Sequence, residues 1–363
     1  MATDIYQLLE AMRKQDAADL FLSVGIPPMI KVKNNYISLP LPPLEREILK
    51  ELVFSTLSDK QQKTFFETNE CNVAIEYEKL GRFRLSAYVQ KGRFSAVIRM
   101  IQSTIPNLEQ LQLPNALLKL VEKKSGLVVV AGPAGAGKST TLASLLEYRN
   151  TNFQGHIICI EDPMEYLHEH KKSIVTQREV GTDTESYAVA LHNCLRQAPT
   201  VVMIGEVRDT EIMSRAIHFA ETGHLCLVTL HANNAFQALE RMANFFQDKN
   251  RDNMLTSLSL CLQGIICQKL LPTVNNDNVV PAVEVMFNTA VIADRIRRGD
   301  FSEIPDFIEK SKPLGMQTFD QSVIDLFKAK KITEATAIQY ANSQNDVRLQ
   351  IRLSGKDDNK LQI

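Results

Sequence analysis

Two patterns of hydrophobic and polar positions divide this chain near residue 110. The opening residues place their apolar side chains on one helical face and so predict an amphipathic helix. These side chains are Ile5, Leu8, Leu9 and Met12. Segments farther along predict a series of short strands, with another helix over residues 44–57. The predicted strands cover residues 19–22, 29–32, 71–75, 83–88 and 95–100. Together these elements predict a small α+β domain over residues 1–110.

From residue 126 onward, near-continuous apolar runs are separated by amphipathic helices. The runs cover residues 127–131, 157–160, 201–204 and 225–229. Apolar strands that alternate with helices are typical of a parallel sheet covered on both faces. The sequence therefore predicts an α/β domain over residues 125–363, joined to the first domain by a linker at 111–124. From about residue 273 it predicts mainly helices.

Composition narrows the class of protein. The chain has 363 residues, of which 44% are hydrophobic, and its formal net charge is −1. Near-neutral charge argues against a protein whose main task is to bind nucleic acid, because such proteins usually carry a basic surface. No apolar run reaches the ~18 residues of a membrane span, and the amino terminus lacks a signal-peptide pattern. These features predict a cytoplasmic protein and leave peripheral attachment to a membrane complex open.

The clearest chemical motif follows the first apolar run of the second domain. Its residues are Gly132, Pro133, Ala134, Gly135, Ala136, Gly137, Lys138, Ser139 and Thr140. Glycines allow successive backbone N–H groups to point at phosphate oxygens, and the helix that follows adds partial positive charge. Lys138 is predicted to reach the β- and γ-phosphates of ATP, and the Ser139 hydroxyl to ligate Mg²⁺.

Hydrolysis also needs acidic groups, and two predicted strand ends provide them. Glu161 and Glu165 follow the second apolar run, and Glu206 follows the third. Because parallel strands end at one edge of a sheet, Glu206 is predicted to act beside Mg²⁺. Spacing alone leaves Glu161 and Glu165 as equal candidates for the base that activates the attacking water.

Two histidines and a group of arginines are further candidates. His224 and His231 bracket the fourth apolar run, either as a structural pair or as sensors of the γ-phosphate. His168 is expected in a solvated loop. The arginines of the first domain are surface residues by default, or else they neutralise phosphate charge in the transition state. These arginines are Arg82, Arg84, Arg93 and Arg99.

Over nearly its whole length, the chain resembles the secretion ATPase superfamily, and within it the PilT/PilU group of type IV pilus retraction ATPases. The matching segments are residues 18–22, 25–28, 81–84, 132–139, 160–166, 177–180, 195–199, 205–208, 223–231 and 315–320. Three segments look like the PilU branch in particular: residues 70–72, 196–199 and 231–234.

The resemblance implies a fold, an assembly and a set of roles. It implies an N-terminal PAS-like domain, a RecA-like ATPase domain, a homohexameric ring and nucleotide bound between the domains. Glu165 matches the catalytic glutamate of the family and is therefore favoured over Glu161. The other matched residues are the Walker B glutamate Glu206, the histidine-box residues His224 and His231, and the N-terminal-domain arginines Arg84 and Arg99.

The resemblance also implies Mg²⁺-dependent ATP hydrolysis that powers pilus retraction at an inner-membrane platform protein. Residues 290–297 match the family's retraction motif only loosely, which favours an accessory motor that acts with a PilT-like ATPase. The alternatives are an assembly ATPase of pili or type II secretion, a RecA-type nucleic-acid motor, and a partner that binds ATP without hydrolysing it.

Overall fold

The computed structural model describes residues 4–32, 35–101, 103–246 and 248–358. The chain groups into two compact units. The first extends to Thr104 and also includes Glu165–Leu167, and the second comprises Ile105–Met164 and the residues from His168 onward.

The first unit is an antiparallel sheet with helices, as its pattern predicts. Its elements are α1 (Ile5–Lys14), β1 (Asp19–Ser23), β2 (Met29–Val32), β3 (Asn35–Ser38), α2 (Arg46–Phe54), α3 (Asp59–Thr68), β4 (Glu70–Tyr77), β5 (Gly81–Gln90) and β6 (Arg93–Met100). The strand order is β3-β2-β1-β6-β5-β4. The four residues predicted on the apolar face of α1 are all buried, and Asp4 caps its first turn. The sequence does not predict β3, because all four of its residues are exposed.

The second unit is the α/β part of the chain. Its elements are α4 (Leu118–Val121), β7 (Gly126–Ala131), α5 (Lys138–Asn152), β8 (Gly155–Glu161), β9 (Ser173–Glu179), α6 (Tyr187–Cys194), β10 (Val201–Ile204), α7 (Thr210–Glu221), β11 (Leu225–Leu230), α8 (Ala235–Asn244), α9 (Asp248–Cys261), β12 (Leu262–Pro272), β13 (Val279–Phe287), α10 (Ala290–Arg298), α11 (Ile304–Lys310), α12 (Phe319–Lys328), α13 (Glu334–Tyr340) and α14 (Gln344–Asp358).

The sheet of the second unit has the order β13-β12-β7-β11-β10-β8-β9. Its pairs are parallel except for β12 with β13. Every residue of β7, β10 and β11 is buried, which explains why these strands are apolar without alternation. The predicted parallel sheet is confirmed, and its four predicted strands end at one edge.

The prediction of mainly helices from about residue 273 holds for the five helices α10 to α14 but misses one strand. Strand β13 follows a polar turn and runs antiparallel to β12 over nine paired residues, so helices resume only at Ala290. A short apolar run such as that of β13 is compatible with either a strand or a buried helix. Pairing with β12 decides between them.

The segment after the first unit packs into the second one. The sequence assigns residues 105–110 to the first domain and 111–124 to a linker, yet both segments group with the second unit. Leu108 and Leu117 explain the difference, because they are 5% and 0% exposed within a hydrophobic cluster that includes strand β7 and helix α5. Within the described residues, the helices are too short or too polar to cross a bilayer.

Candidate nucleotide-binding site

The glycine-rich loop of residues 132–137 connects β7 to α5 at the carboxyl edge of the parallel sheet. Gly135 and Gly137 have φ values of 74° and 82°, a backbone conformation that glycine adopts without steric cost. Pro133, Ala134 and Gly135 are exposed. The loop therefore presents its backbone to solvent at the amino end of a long helix, where an anion binds favourably.

Lys138 is the first residue of α5, and its ammonium group turns back over the loop. Its Nζ donates to the carbonyl oxygens of Gly132 at 2.8 Å and of Pro133 at 2.9 Å. Burial lowers the pKa of Lys138, while the negative charge of Glu206 acts in the opposite direction. The cation therefore lies beside the loop that is predicted to hold phosphate.

His231 and Glu206 lie next to Lys138, as the order of the strands requires. Strand β11 lies between β7 and β10, and these three strands lead into Lys138, His231 and Glu206. His231 Nδ1 lies 3.5 Å from Lys138 Nζ, and His231 Nε2 lies 2.8 Å from Glu206 Oε1. Three of the predicted residues are thus linked by polar contacts, with His231 between Lys138 and Glu206.

Arg208 joins this group, although the sequence does not single it out as a site residue. Its Nε donates to Glu206 Oε2 at 2.7 Å, and its Nη1 donates to Asp162 Oδ2 at 3.0 Å. The hydrogen bond with Glu206 raises the pKa of Arg208. The sequence signal that could have identified Arg208 was its distance from Glu206. The two residues are two positions apart, and side chains at i and i+2 lie on the same side of an extended segment.

Ser139 and Glu206 are the residues that could bind Mg²⁺. Ser139 is exposed in the first turn of α5, and Glu206 is partly exposed at the end of β10. In the described part of the chain, no group of three or more His, Cys, Asp and Glu residues is arranged to hold a metal ion. The hydroxyl of Ser139 and the carboxylate of Glu206 are oxygen ligands of the kind that Mg²⁺ prefers, and protein sites often bind it through one or two such oxygens together with phosphates and water.

Glu161 and Glu165 have different surroundings. Glu161, the last residue of β8, is 8% exposed and accepts a hydrogen bond from Gln177 Nε2 at 3.1 Å. Glu165 is partly exposed and groups with the first unit. A general base must reach water in the site, so the burial of Glu161 favours Glu165.

His224 lies far from His231, and the interpretation of the two as one phosphate-sensing pair within this unit needs correction. The histidines flank β11 at its two ends, so they are roughly 20 Å apart at the rise of a strand. The ring of His224 lies 3.2 Å from the carbonyl oxygen of Phe219 and 3.1 Å from Thr222 Oγ1, both through Nδ1. These contacts are those of a structural histidine at the end of helix α7.

Arg84 and Arg99 lie directly opposite each other on β5 and β6, on the face of the first unit's sheet away from its core. Asp19 is the partner of Arg99 on β1. Arg99 Nε donates to Asp19 Oδ1 at 2.7 Å, and this hydrogen bond raises the pKa of Arg99, with a smaller contribution from the charge of Glu165. Asp19 is buried, whereas the Arg99 side chain is 49% exposed. The pair therefore presents an oriented guanidinium group.

Comparison with known proteins identifies relatives over nearly the whole chain. The family described as type II/IV secretion system protein matches residues 43–317. The type IV pilus ATPase PilU of Pseudomonas aeruginosa is 47% identical over 97% of this chain and 92% of PilU. The type IV pilus retraction ATPase PilT of the same organism is 38% identical over 93% of this chain and 98% of PilT.

A crystal structure gives the same result at the level of the fold. The pilus retraction motor PilT with bound ADP matches with a TM-score of 0.89 and 35% sequence identity, over 95% of this chain and 98% of PilT. The resemblance to the PilT/PilU group is confirmed, and so is the predicted fold class.

Proposed function

Because this chain belongs to the type II/IV secretion system protein family, we propose that it hydrolyses ATP to power the retraction of type IV pili in twitching motility. The observation that carries the enzymatic part is the contact of Lys138, His231 and Glu206 at the ends of three neighbouring strands. Similarity to PilU and PilT, both named as pilus ATPases, supports the pilus-related part. The net charge of −1 gives no support to a nucleic-acid motor.

Lys138 acts by exchanging partners. Its two hydrogen bonds to loop carbonyls are replaced by charge-assisted bonds to the β- and γ-phosphates of ATP, which are stronger than bonds to neutral acceptors. The loop N–H groups and the amino end of α5 bind the same phosphates.

Ser139 and Glu206 would hold Mg²⁺, which would supply positive charge against the phosphates. The two oxygens of Glu206 contact His231 and Arg208 respectively, and these contacts fix the direction of the carboxylate. His231 reports the state of the γ-phosphate, because it contacts both the lysine that binds phosphate and the glutamate at the metal.

Glu165 orients and deprotonates the water that attacks the γ-phosphate. Arg84 and Arg99 then stabilise the negative charge that spreads over the transferring phosphoryl group. Asp19 orients Arg99 through the 2.7 Å hydrogen bond to its Nε, and the two terminal nitrogens of the guanidinium group then bind phosphoryl oxygens.

The working unit is a homohexamer on the cytoplasmic side of the inner membrane, where it contacts the pilus platform protein. It acts as an accessory motor together with a PilT-like retraction ATPase. Two observations support this role: the similarity to PilU and the loose match of residues 290–297 to the retraction motif.

Substitution of Lys138 tests the enzymatic and the cellular parts together. We expect purified Lys138→Ala to bind ATP at least ~100-fold more weakly, because it loses charge-assisted bonds to two phosphates. A deletion strain should lose pilus retraction under load, and the wild-type gene, but not Lys138→Ala, should restore it. Unchanged affinity would exclude the assigned loop, and full restoration by the variant would exclude hydrolysis as the source of power.

The accessory role is tested separately, in strains with and without the PilT-like ATPase. Expression of this chain should restore retraction only where that ATPase is present. Retraction by this chain alone would contradict the accessory role and leave the ATPase assignment intact. The mass of the purified protein, measured by light scattering with nucleotide, tests the hexamer.

A further inference from the structure

The phosphate-binding loop needs donors for its own carbonyl groups. When its N–H groups point at phosphate, its carbonyl groups point elsewhere, and buried carbonyls have to be hydrogen bonded. Lys138 supplies the carbonyls of Gly132 and Pro133, but these are the bonds it gives up on reaching phosphate. The loop therefore needs an anchor that does not depend on Lys138.

Gln268 on β12 provides such an anchor. Its side chain lies beneath the loop, and the residue is 4% exposed. Its Nε2 donates to the carbonyl oxygen of Ala136 at 2.8 Å, and its Oε1 accepts from Thr141 Oγ1 at 2.7 Å. Both ends of the amide are thus engaged, one by the loop and one by helix α5.

Two glycines of the loop pack directly against Gln268. A Cβ atom added at Gly132 would lie 2.5 Å from the backbone oxygen of Gln268, and one added at Gly137 would lie 2.8 Å from its Nε2. Strand β12 pairs with β7 up to the register of Cys267 with Ala131. Gln268 therefore follows the last paired residue, at the level where the loop leaves the sheet.

We propose that Gln268 is a positioning residue that holds the loop in its phosphate-binding conformation while Lys138 exchanges carbonyl oxygens for phosphates. This inference rests on the assignment of residues 132–140 as the phosphate-binding loop. Gln268 does not touch the nucleotide, so its loss weakens nucleotide binding through the shape of the loop. We expect a larger change in KM than in kcat, because the groups that act in the chemical step are left in place.

The variant Gln268→Glu is the sharpest probe. It keeps the length of the side chain and an acceptor for Thr141, but it puts a second acceptor against the carbonyl of Ala136. Gln263→Glu is the matched control, because Gln263 lies near the opposite end of the same strand. For Gln268→Glu we expect the Kd for ADP, measured by titration calorimetry, to rise about ten- to a hundredfold. The Tm should fall by more than that of the control, because the new carboxylate is buried against a carbonyl oxygen, so affinity is measured at a temperature where the variant is folded.

A second pair of variants covers the case in which the glutamate prevents folding. Gln268→Met removes both hydrogen bonds while keeping an unbranched side chain of similar length, and Thr141→Val removes only the bond to Oε1. Affinity should fall in both, more for Gln268→Met. The inference is overturned if the folded Gln268 variants bind ADP within twofold of wild type, or if lost binding only follows lost folded protein.

Lys138→Ala separates failure of this inference from failure of the loop assignment. If Lys138→Ala binds poorly and the Gln268 variants bind normally, the loop assignment stands and the positioning role is wrong. If Lys138→Ala itself binds ATP as wild type does, the loop assignment fails, and the role of Gln268 fails with it.

Discussion

Strand β11 carries a histidine at each end, and the two have little in common beyond their residue type. His231, at the carboxyl end, contacts an ammonium group and a carboxylate. His224, at the amino end, contacts a helix carbonyl and a hydroxyl and packs edge-on against the Phe219 ring. One strand of six residues thus has a histidine among charged site residues at one end and a structural histidine at the other.

The difference comes from what each edge of a parallel sheet collects. Strands β7, β8, β10 and β11 all end at the carboxyl edge, so the loops that follow them meet there. The loops bring Lys138, Asp162, Glu206 and His231 into contact, directly or through Arg208. At the amino edge, His224 instead supplies a hydrogen bond to the last turn of α7, where helix carbonyls lack partners within the helix. The edge of the sheet at which a histidine lies therefore indicates its role better than its residue type does.

Glu165→Gln should give the largest effect on turnover. We expect kcat to fall about 10²- to 10⁴-fold, the usual contribution of a general base, while ATP affinity is retained. Steady-state hydrolysis and nucleotide binding of the same preparation measure both. Turnover at the wild-type rate would move the base elsewhere, and Glu161→Gln is then the next variant.

Arg99→Ala asks whether the first unit contributes to the same chemistry. We expect kcat to fall about 100-fold or more, because an arginine that stabilises phosphoryl charge contributes strongly to the rate. The Tm should fall as well, because loss of Arg99 leaves the buried carboxylate of Asp19 without its partner, so kcat is measured at a temperature where the variant is folded. Arg93→Ala is the matched control on the same strand. Equal activity of both variants would return Arg99 to the surface-arginine class.

Substitution of the two histidines tests the comparison between the edges directly. His231→Asn should lower kcat about tenfold through the loss of its contact with Glu206. His224→Asn should leave kcat unchanged and lower the Tm by a few degrees, about the effect of one lost helix-end hydrogen bond. A fall in kcat for His224→Asn without destabilisation would show that the amino edge also takes part in catalysis.

Glu147→Gln should give the smallest effect, and on stability alone. Hydrogen bonds from His168, and then from Lys171 and Asn150, lower the pKa of Glu147 from 4.5 to about 2. Because the folded pKa is depressed, the stabilisation is present above pH 4.5 and is lost as the pH falls toward 2. We expect the variant to be less stable by about 1 kcal/mol at pH 7, and the difference from wild type to shrink below pH 4.5.

Urea unfolding of wild type and Glu147→Gln at several pH values measures this difference. Glu185→Gln, at an exposed position, is the control. A difference that stays constant down to pH 3 would contradict the assigned pKa shift. The same contacts correct the expectation of a solvated loop around His168, whose side chain is only 3% exposed.

Local signals in the sequence were sufficient for the elements of the sheet and for the loop that binds phosphate. The burial of β7, β10 and β11 on both faces requires continuous apolar runs, which can be recognised without a structure. The loop is equally local, because its glycines, Lys138 and Ser139 act within nine consecutive residues. Family resemblance, rather than spacing, favoured Glu165 over Glu161.

Only the tertiary structure decided which distant residues meet. Gln268 carries no motif, and Arg208 lies in a matching segment that assigns it no role. Their importance comes from neighbours 132 and 46 positions away in the chain. His224 and His231 look alike in sequence and are separated by the length of a strand. The spacing of apolar positions and the local composition are properties of residues that are neighbours in sequence. Strand order, strand register and the edge of the sheet at which a residue lies are set by contacts between segments far apart in the chain.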